Sequence, residues 1–229
     1  MNPSAFLEPL CLADKTFMLR KLIIILLLCF LGLSGCASLV RQVGTGRTID
    51  LSEGEALIFG KIVFIENNEE KTPFSRWTRK PTPVFFQIES EKYIKGREVE
   101  RDGSFYWVVP VGTYIIPEIE YAYAVIPQVA FEIPVGANAV YLGTLTIDVE
   151  TGSLGLSRRV KKIKNITVEN EFDNARETLL IRNPGFTSGI EEGLMVHDES
   201  IPVDWKLIER GLLRDIILTI FNPSFPLWQ

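Results

Sequence analysis

Histidine is almost absent from this chain of 229 residues, where His197 is the only one. Zinc and related metals are usually held by histidine imidazoles and cysteine thiolates, so a metal here would have to rest on carboxylates, and neither a metal nor a cofactor is expected. Cysteine is scarce as well. The three cysteines are Cys11, Cys29 and Cys36, so the body of the chain after Cys36 has no thiol to pair. It must be held by its apolar core rather than by disulfides. Positive charge is in deficit, with 24 Lys and Arg against 29 Asp and Glu, a net charge of -5. That balance, with no nucleic-acid motif, gives no footprint for a nucleic-acid partner. Long apolar runs are also missing. Leu22 to Leu33 falls short of the roughly 18 residues a membrane-crossing helix needs, and Ser34, Gly35 and Ser38 interrupt any extension toward Val40.

What the chain does have is 46% hydrophobic, 10% aromatic and 23% charged residues, the balance of a folded globular protein. Its most informative segment is Met18-Leu-Arg-Lys-Leu-Ile-Ile-Ile-Leu-Leu-Leu-Cys-Phe-Leu-Gly-Leu-Ser-Gly-Cys36. Arg20 and Lys21 lead, an apolar run follows, and Leu33-Ser34-Gly35-Cys36 resembles the lipobox of bacterial lipoproteins. The resemblance implies lipidation of Cys36 as a thioether and removal of residues 1–35. Ala37 follows the cysteine, and a residue other than Asp there implies export to the outer membrane, facing the periplasm. Residues 1–35 read as the signal peptide; Glu8, Asp14 and Cys11 are unusual ahead of a basic signal start, which makes Met18 an alternative first residue. Cleavage before Cys36 leaves 194 residues, enough for one domain.

Residues 36–53 are polar and carry Val43-Gly-Thr-Gly-Arg47, so they read as a tether. Strand patterns fill residues 54–170. Ala56 to Ile65 is rich in β-branched and aromatic residues, and Val84 to Ile88 follows a proline-studded connection. Glu98 to Arg101 and Ser104 to Val109 read as the arms of a hairpin turned by Asp102-Gly103. Ile119, Tyr121 and Tyr123 alternate with Glu118, Glu120 and Ala122, and Pro117 puts that strand at an edge or in a bulge. Val129 to Ile133 and Thr144 to Val149 alternate too. A Thr151-Gly152 turn and a strand near Ile166 to Val168 bring the total to roughly seven or eight strands. Residues 171–229 form a C-terminal extension. It begins with a short helix over 171–180, and an amphipathic helix capped by Asp204 runs from Trp205 to about Phe221.

The segment Arg101-Asp-Gly-Ser-Phe-Tyr-Trp-Val-Val-Pro-Val-Gly-Thr-Tyr114 resembles the carboxypeptidase-regulatory, transthyretin-like class of β-sandwich. The resemblance spans residues 54–150 and implies a mainly β protein, an immunoglobulin-like or transthyretin-like antiparallel sandwich. In it Phe105 and Trp107 share an inward face and Tyr114 packs back on the core. Phe131 to Leu145 is similar to small bacterial lipoproteins of uncharacterised function. Fold analogy supplies no activity.

Candidate chemistry is thin. His197 lies in Met195-Val-His-Asp-Glu-Ser200 without a nucleophile elbow. Glu118 and Glu120 share a strand face and are the one candidate acid pair, with a solvent-facing pleat as the simpler explanation. Asn165-Ile166-Thr167 matches a glycosylation sequon that has no meaning in a bacterial lipoprotein. Tyr114, Tyr121, Tyr123 and Trp107 could line a sugar- or peptide-binding face, against ordinary core packing. Arg158, Arg159, Lys161, Lys162 and Lys164 form the one basic concentration, which reads as a solvated strand face with an anionic headgroup contact as the alternative. The aromatic, proline-broken tail Phe221 to Gln229 folds back or docks on an envelope protein partner. The expectation is a noncatalytic, membrane-anchored envelope lipoprotein that binds or scaffolds. Its rival is a lipid-anchored hydrolase of envelope polymers.

Overall fold

The run Ala56 to Ile65 carries apolar side chains on both of its alternating faces, and only a strand covered on both sides can use them all. The computed structural model describes residues 40–75, 79–154, 157–186 and 189–201. Cys36, the helix expected over 205–221 and the aromatic tail lie outside the described residues. In chain order the strands are β1 (Arg41–Gln42), β2 (Glu55–Glu66), β3 (Glu69–Glu70), β4 (Thr82–Gln87), β5 (Lys92–Lys95), β6 (Ser104–Pro110) and β7 (Gly112–Glu120). They continue as β8 (Ala124–Val125), β9 (Val129–Ile133), β10 (Ala139–Leu154), β11 (Ser157–Glu169), β12 (Ile190–Glu192) and β13 (Val196–His197). The one described helix, α1 (Phe172–Arg182), lies between β11 and β12.

The described chain is therefore mainly β, in two sheets rich in antiparallel pairs. The first sheet runs β1-β6-β2-β10-β11, with β3 on β2 and β12 on β10. The second runs β13-β9-β7-β4-β5, with β8 on β7. The expectation of a purely antiparallel arrangement is corrected at the centre of the first sheet, where β10 runs parallel to β2 and to β12. The chain leaves β2, builds much of the second sheet, and returns alongside in the same direction.

Both faces of the first sheet are covered. Ile58, Ile62 and Phe64 on β2 join Phe105 and Trp107 on β6 and Leu145 and Ile147 on β10 in one buried cluster with Phe85, Tyr114 and Phe131 of the second sheet. Rings meet between the sheets, Phe85 against Trp107 at 5.8 Å between centroids. The opposite face buries Leu57, Phe59, Tyr106, Val108 and Tyr141 under Leu179 of α1, with Phe172 and Ala175 packed alongside. Phe172, Ala175 and Leu179 recur at helical spacing and so face the sheet together. The Asn170 side chain accepts a hydrogen bond from the Phe172 amide at 3.0 Å, satisfying one of the open donors at the helix start.

Two expected boundaries shift. Part of the expected tether is woven into the sheet: β1 pairs with Val108 and Trp107, Val40 and Val43 are buried, and the Asn183 side chain donates from Nδ2 to the Arg47 carbonyl at 2.8 Å. The segment after α1 also belongs to both sheets, because β12 pairs with β10 and β13 with β9. Met195, buried between them, donates its amide to the Leu142 carbonyl at 2.9 Å.

The Asp102-Gly103 turn forms as expected, with Asp102 Oδ1 accepting from the Ser104 amide at 3.0 Å and from its hydroxyl at 2.6 Å. Its upstream arm is not a strand. Both edges of β6 are taken by β1 and β2, so Glu98 to Arg101 crosses instead toward the second sheet, where the Val99 amide reaches the Pro81 carbonyl at 3.0 Å. Thr151-Gly152 is likewise not a turn, because β10 continues through it to Leu154. Pro117 lies in an inner strand, and the register shift between Val84 and Phe86 opposite it is the bulge that accommodates a residue without an amide hydrogen. Tyr121 and Tyr123 leave the strand and close a short reversal, the Tyr121 amide on the Tyr123 carbonyl at 2.9 Å.

Strand β11 carries two further bulges. In its pairing with β10, Lys161 and Lys164 have no opposite residue. Each inserted lysine resets the alternation, so Val160, Ile163, Ile166 and Val168 all pack against the core. The steps of three from Val160 to Ile163 to Ile166 look helical in the sequence, and only Ile166 to Val168 reads there as a strand.

Two outcomes follow for the unit from Ser38 onward, which holds both sheets. Trp107 is 1% exposed and stacked on Phe105 at 4.4 Å, so Trp107→Ala should cost about 3–5 kcal/mol in denaturant unfolding. Trp107→Phe should cost clearly less, because the indole N–H finds no acceptor among the described residues. An unchanged midpoint for the alanine variant would place the ring at the surface. Gly103 has φ +89, and a Cβ there would meet the Ile62 carbonyl oxygen at 2.4 Å. Gly103→Ala should therefore destabilise by about 1–3 kcal/mol, and a neutral result would refute the tight contact.

Candidate functional site

The residues singled out by sequence end in different places. Glu120 pairs with Lys95 at 2.9 Å across the second sheet, and Glu118 sits on the same strand opposite Val84. His197 lies on β13, where Nδ1 donates to the Pro127 carbonyl at 2.9 Å. Asp198 beside it turns to Ser200, accepting from its amide at 2.7 Å, and that hydroxyl and amide hold its carboxyl below the usual range. Glu120, His197 and Asp198 are thus engaged in holding strands and turns. Among the described residues no group of His, Cys, Asp and Glu could hold a metal ion.

The aromatic candidates are core. Trp107 and Tyr114 are buried, and Tyr114 stacks on Phe131 at 5.2 Å. Its hydroxyl donates to the Pro110 carbonyl at 2.7 Å, closing the loop Pro110 to Tyr114 on itself. Tyr121 and Tyr123 pack with Phe64 and Phe74, the Phe64–Tyr121 centroids 5.0 Å apart.

One recess was not read from the sequence. Between the flank of α1 and the outer face of the first sheet lies an open cleft of about 170 Å³. Phe59, Tyr106 and Tyr141 form its floor, and Lys61, Asp102, Ser104, Thr144, Glu171 and Asn174 contribute to its rim. The Thr144 hydroxyl donates to Glu171 Oε2 at 2.9 Å, and the Glu171 amide donates to the Tyr141 hydroxyl at 3.1 Å. Burial pushes the Tyr106 and Tyr141 phenols up, so both are neutral donors at ordinary pH. The rim can hydrogen-bond a small polar molecule, with a lysine cation and carboxylates within one recess. Its parts come from four separate segments, and no local motif marks them. The available signal was indirect: strands apolar on both faces require an outer cover, and the edge of that cover makes the cleft.

The far end of α1 is fastened rather than open. The Arg182 guanidinium forms a two-pronged ion pair with Glu100, one arm at 3.0 Å, and lies 4.3 Å over the Tyr106 ring. Its carbonyl accepts from the Gly46 amide at 2.9 Å.

Tyr114 generates a pH dependence. Burial, and secondarily the Glu89 charge, raise its phenol well above the ordinary value. The folded state therefore holds the proton more tightly than the unfolded state. This contribution to stability is complete below about pH 10 and is lost as pH rises through the folded-state value. Denaturation midpoints measured from about pH 8 to about pH 11 should decline at the alkaline end. Tyr114→Phe should lower stability by about 1 kcal/mol at neutral pH and flatten that decline. An identical alkaline decline in both proteins would refute the assignment. No protein-family model, curated protein or solved structure matches this chain.

Proposed function

We propose that this chain is a noncatalytic lipoprotein of the bacterial cell envelope, anchored through lipid on Cys36, whose domain binds or scaffolds an envelope component. The observation that carries the proposal is the sequence Arg20-Lys21, the apolar run Leu22 to Leu33, and Leu33-Ser-Gly-Cys36. Ala37 favours the outer membrane over the inner. The domain itself is an immunoglobulin-like or transthyretin-like β-sandwich. This reading is supported by the single buried cluster shared by the two sheets and by the loop that Tyr114 closes on Pro110. The parallel β2 and β10 pair and the helix on the outer face are departures from a minimal sandwich.

Binding is favoured over catalysis because His197 and Glu120 are engaged by structural partners, the Pro127 carbonyl and the Lys95 cation. In the cleft beside α1 the Thr144 and Ser104 hydroxyls donate to the Glu171 and Asp102 carboxylates, and no histidine lines it to take a hydroxyl proton as a triad would require.

Mass spectrometry of membrane-extracted protein should find a diacylglyceryl or triacyl group on an N-terminal Cys36, and Cys36→Ala should leave the chain unprocessed. A soluble product starting elsewhere, or normal processing of Cys36→Ala, would contradict the anchor. Hydrolysis of an envelope polymer that is lost in folded His197→Ala, Glu118→Gln or Glu120→Gln protein would contradict the noncatalytic reading.

A further inference from the structure

We infer that the hairpin of β10 and β11 is a docking surface for an anionic phospholipid bilayer. Strand β2 accompanies β10 only as far as Val149, opposite Glu66. Beyond it the pairs Glu150 with Lys162, Thr151 with Val160 and Gly152 with Arg159 form a two-stranded ribbon. No strand pairs with the other edge of β11 among the described residues. The sequence Arg158-Arg-Val-Lys-Lys-Ile-Lys164 has five cations in seven positions and no acid, in a chain whose net charge is -5.

The bulges sort these residues. Val160 and Ile163 turn to the core, while Arg159, Lys161, Lys162 and Lys164 are exposed. The Lys161 stem lies over Gly152, where a Cβ would come within 2.3 Å of it, so its cation stays on the outer face. Two carboxylates share this region: Glu150 lies 3.9 Å from Lys161, and Asp148 lies 3.8 Å from Lys164. Lys164 also donates to Asn68 Oδ1 at 2.7 Å. Arg159 and Lys162 make no ion pair among the described residues and remain available to an external anion.

A row of long cationic side chains on a narrow ribbon suits a plane of phosphates, where each Lys or Arg adds attraction within a Debye length. The choice of a lipid surface over other polyanions rests on the lipobox reading, which places this domain beside a bilayer. Charged side chains also keep an exposed strand edge from pairing with other chains, and the test separates that role from lipid docking.

The full chain, immobilised by a C-terminal tag, is offered labelled vesicles of phosphatidylcholine alone or mixed with phosphatidylglycerol. The phosphatidylcholine capture measures what the apolar N-terminal segment does by itself. The expected result is preferential capture of the anionic vesicles, suppressed at about 1 M salt, where screening acts within about 3 Å. Arg159→Glu with Lys162→Glu should reduce that preference about tenfold or more, with the oligomeric state and melting temperature of the unsubstituted chain retained because the edge stays charged. Arg159→Gln with Lys162→Gln should reduce it less and provides the folded comparison if the reversal unfolds. Equal capture of both vesicle types, or an unchanged preference in the folded variants, would overturn the inference. Binding of soluble polyphosphate without vesicle capture would overturn the lipid assignment. Cys36→Ala should leave the preference unchanged, so failure of the anchor reading is distinguishable from failure of this one.

Discussion

Everything described in this chain depends on the first sheet being covered on both faces. Strand β2 sets Ile58, Ile62 and Phe64 against the second sheet and Leu57 and Phe59 against α1. A sheet with apolar side chains on both surfaces cannot leave either in water, since burial contributes about 25 cal/mol per Å² of apolar area. With no disulfide to assist in the body of the chain, the second sheet, α1 and residues 40–51 are recruited as covers. The mixed topology fits that demand, because parallel pairs are characteristic of sheets buried on both sides.

The covers need fastening, and the polar contacts concentrate there. Arg182 joins α1 to Glu100, to the Tyr106 ring and, through its carbonyl, to Gly46. Gln128 holds the end of the described chain through the Ile201 carbonyl at 2.7 Å and the Glu199 carbonyl at 3.0 Å. Thr151 links a buried carboxylate to the next turn, donating to Glu66 at 2.7 Å and accepting from Asn67 at 3.1 Å. Buried polar groups cost free energy unless satisfied, so such links fix one arrangement of the layers. What remains for recognition lies at the margins: the cleft beside α1 and the ribbon beyond β2.

Legibility in the sequence followed the regularity of the backbone. The alternating strands, the Asp102-Gly103 turn, the short helix near 171–180 and the inward pair Phe105 and Trp107 could all be read, because local rules govern each. The partner of β6 could not be read, since a turn signal says where a chain reverses and not which strand fills the edge. The tether expectation failed at Val40 and Val43, two valines in a polar stretch, whose burial depends on a sheet edge and helix contributed from elsewhere. Lys161 and Lys164 hid β11 by breaking its period of two. The cleft was illegible for a similar reason: Lys61, Asp102, Thr144 and Glu171 are unremarkable until four segments converge.

Hydrogen exchange measured residue by residue tests double coverage of the first sheet most directly. Amides of β2 and β10 between Leu57 and Leu145 should exchange only through global unfolding, at rates that follow the unfolding free energy. Amides on the free edge of β11 between Arg159 and Lys164 should exchange through local opening and far faster. If Leu57 to Phe59 exchanged as rapidly as that edge while the protein remained folded, the outer cover formed by α1 and residues 40–51 would not exist, and the layered account would be wrong.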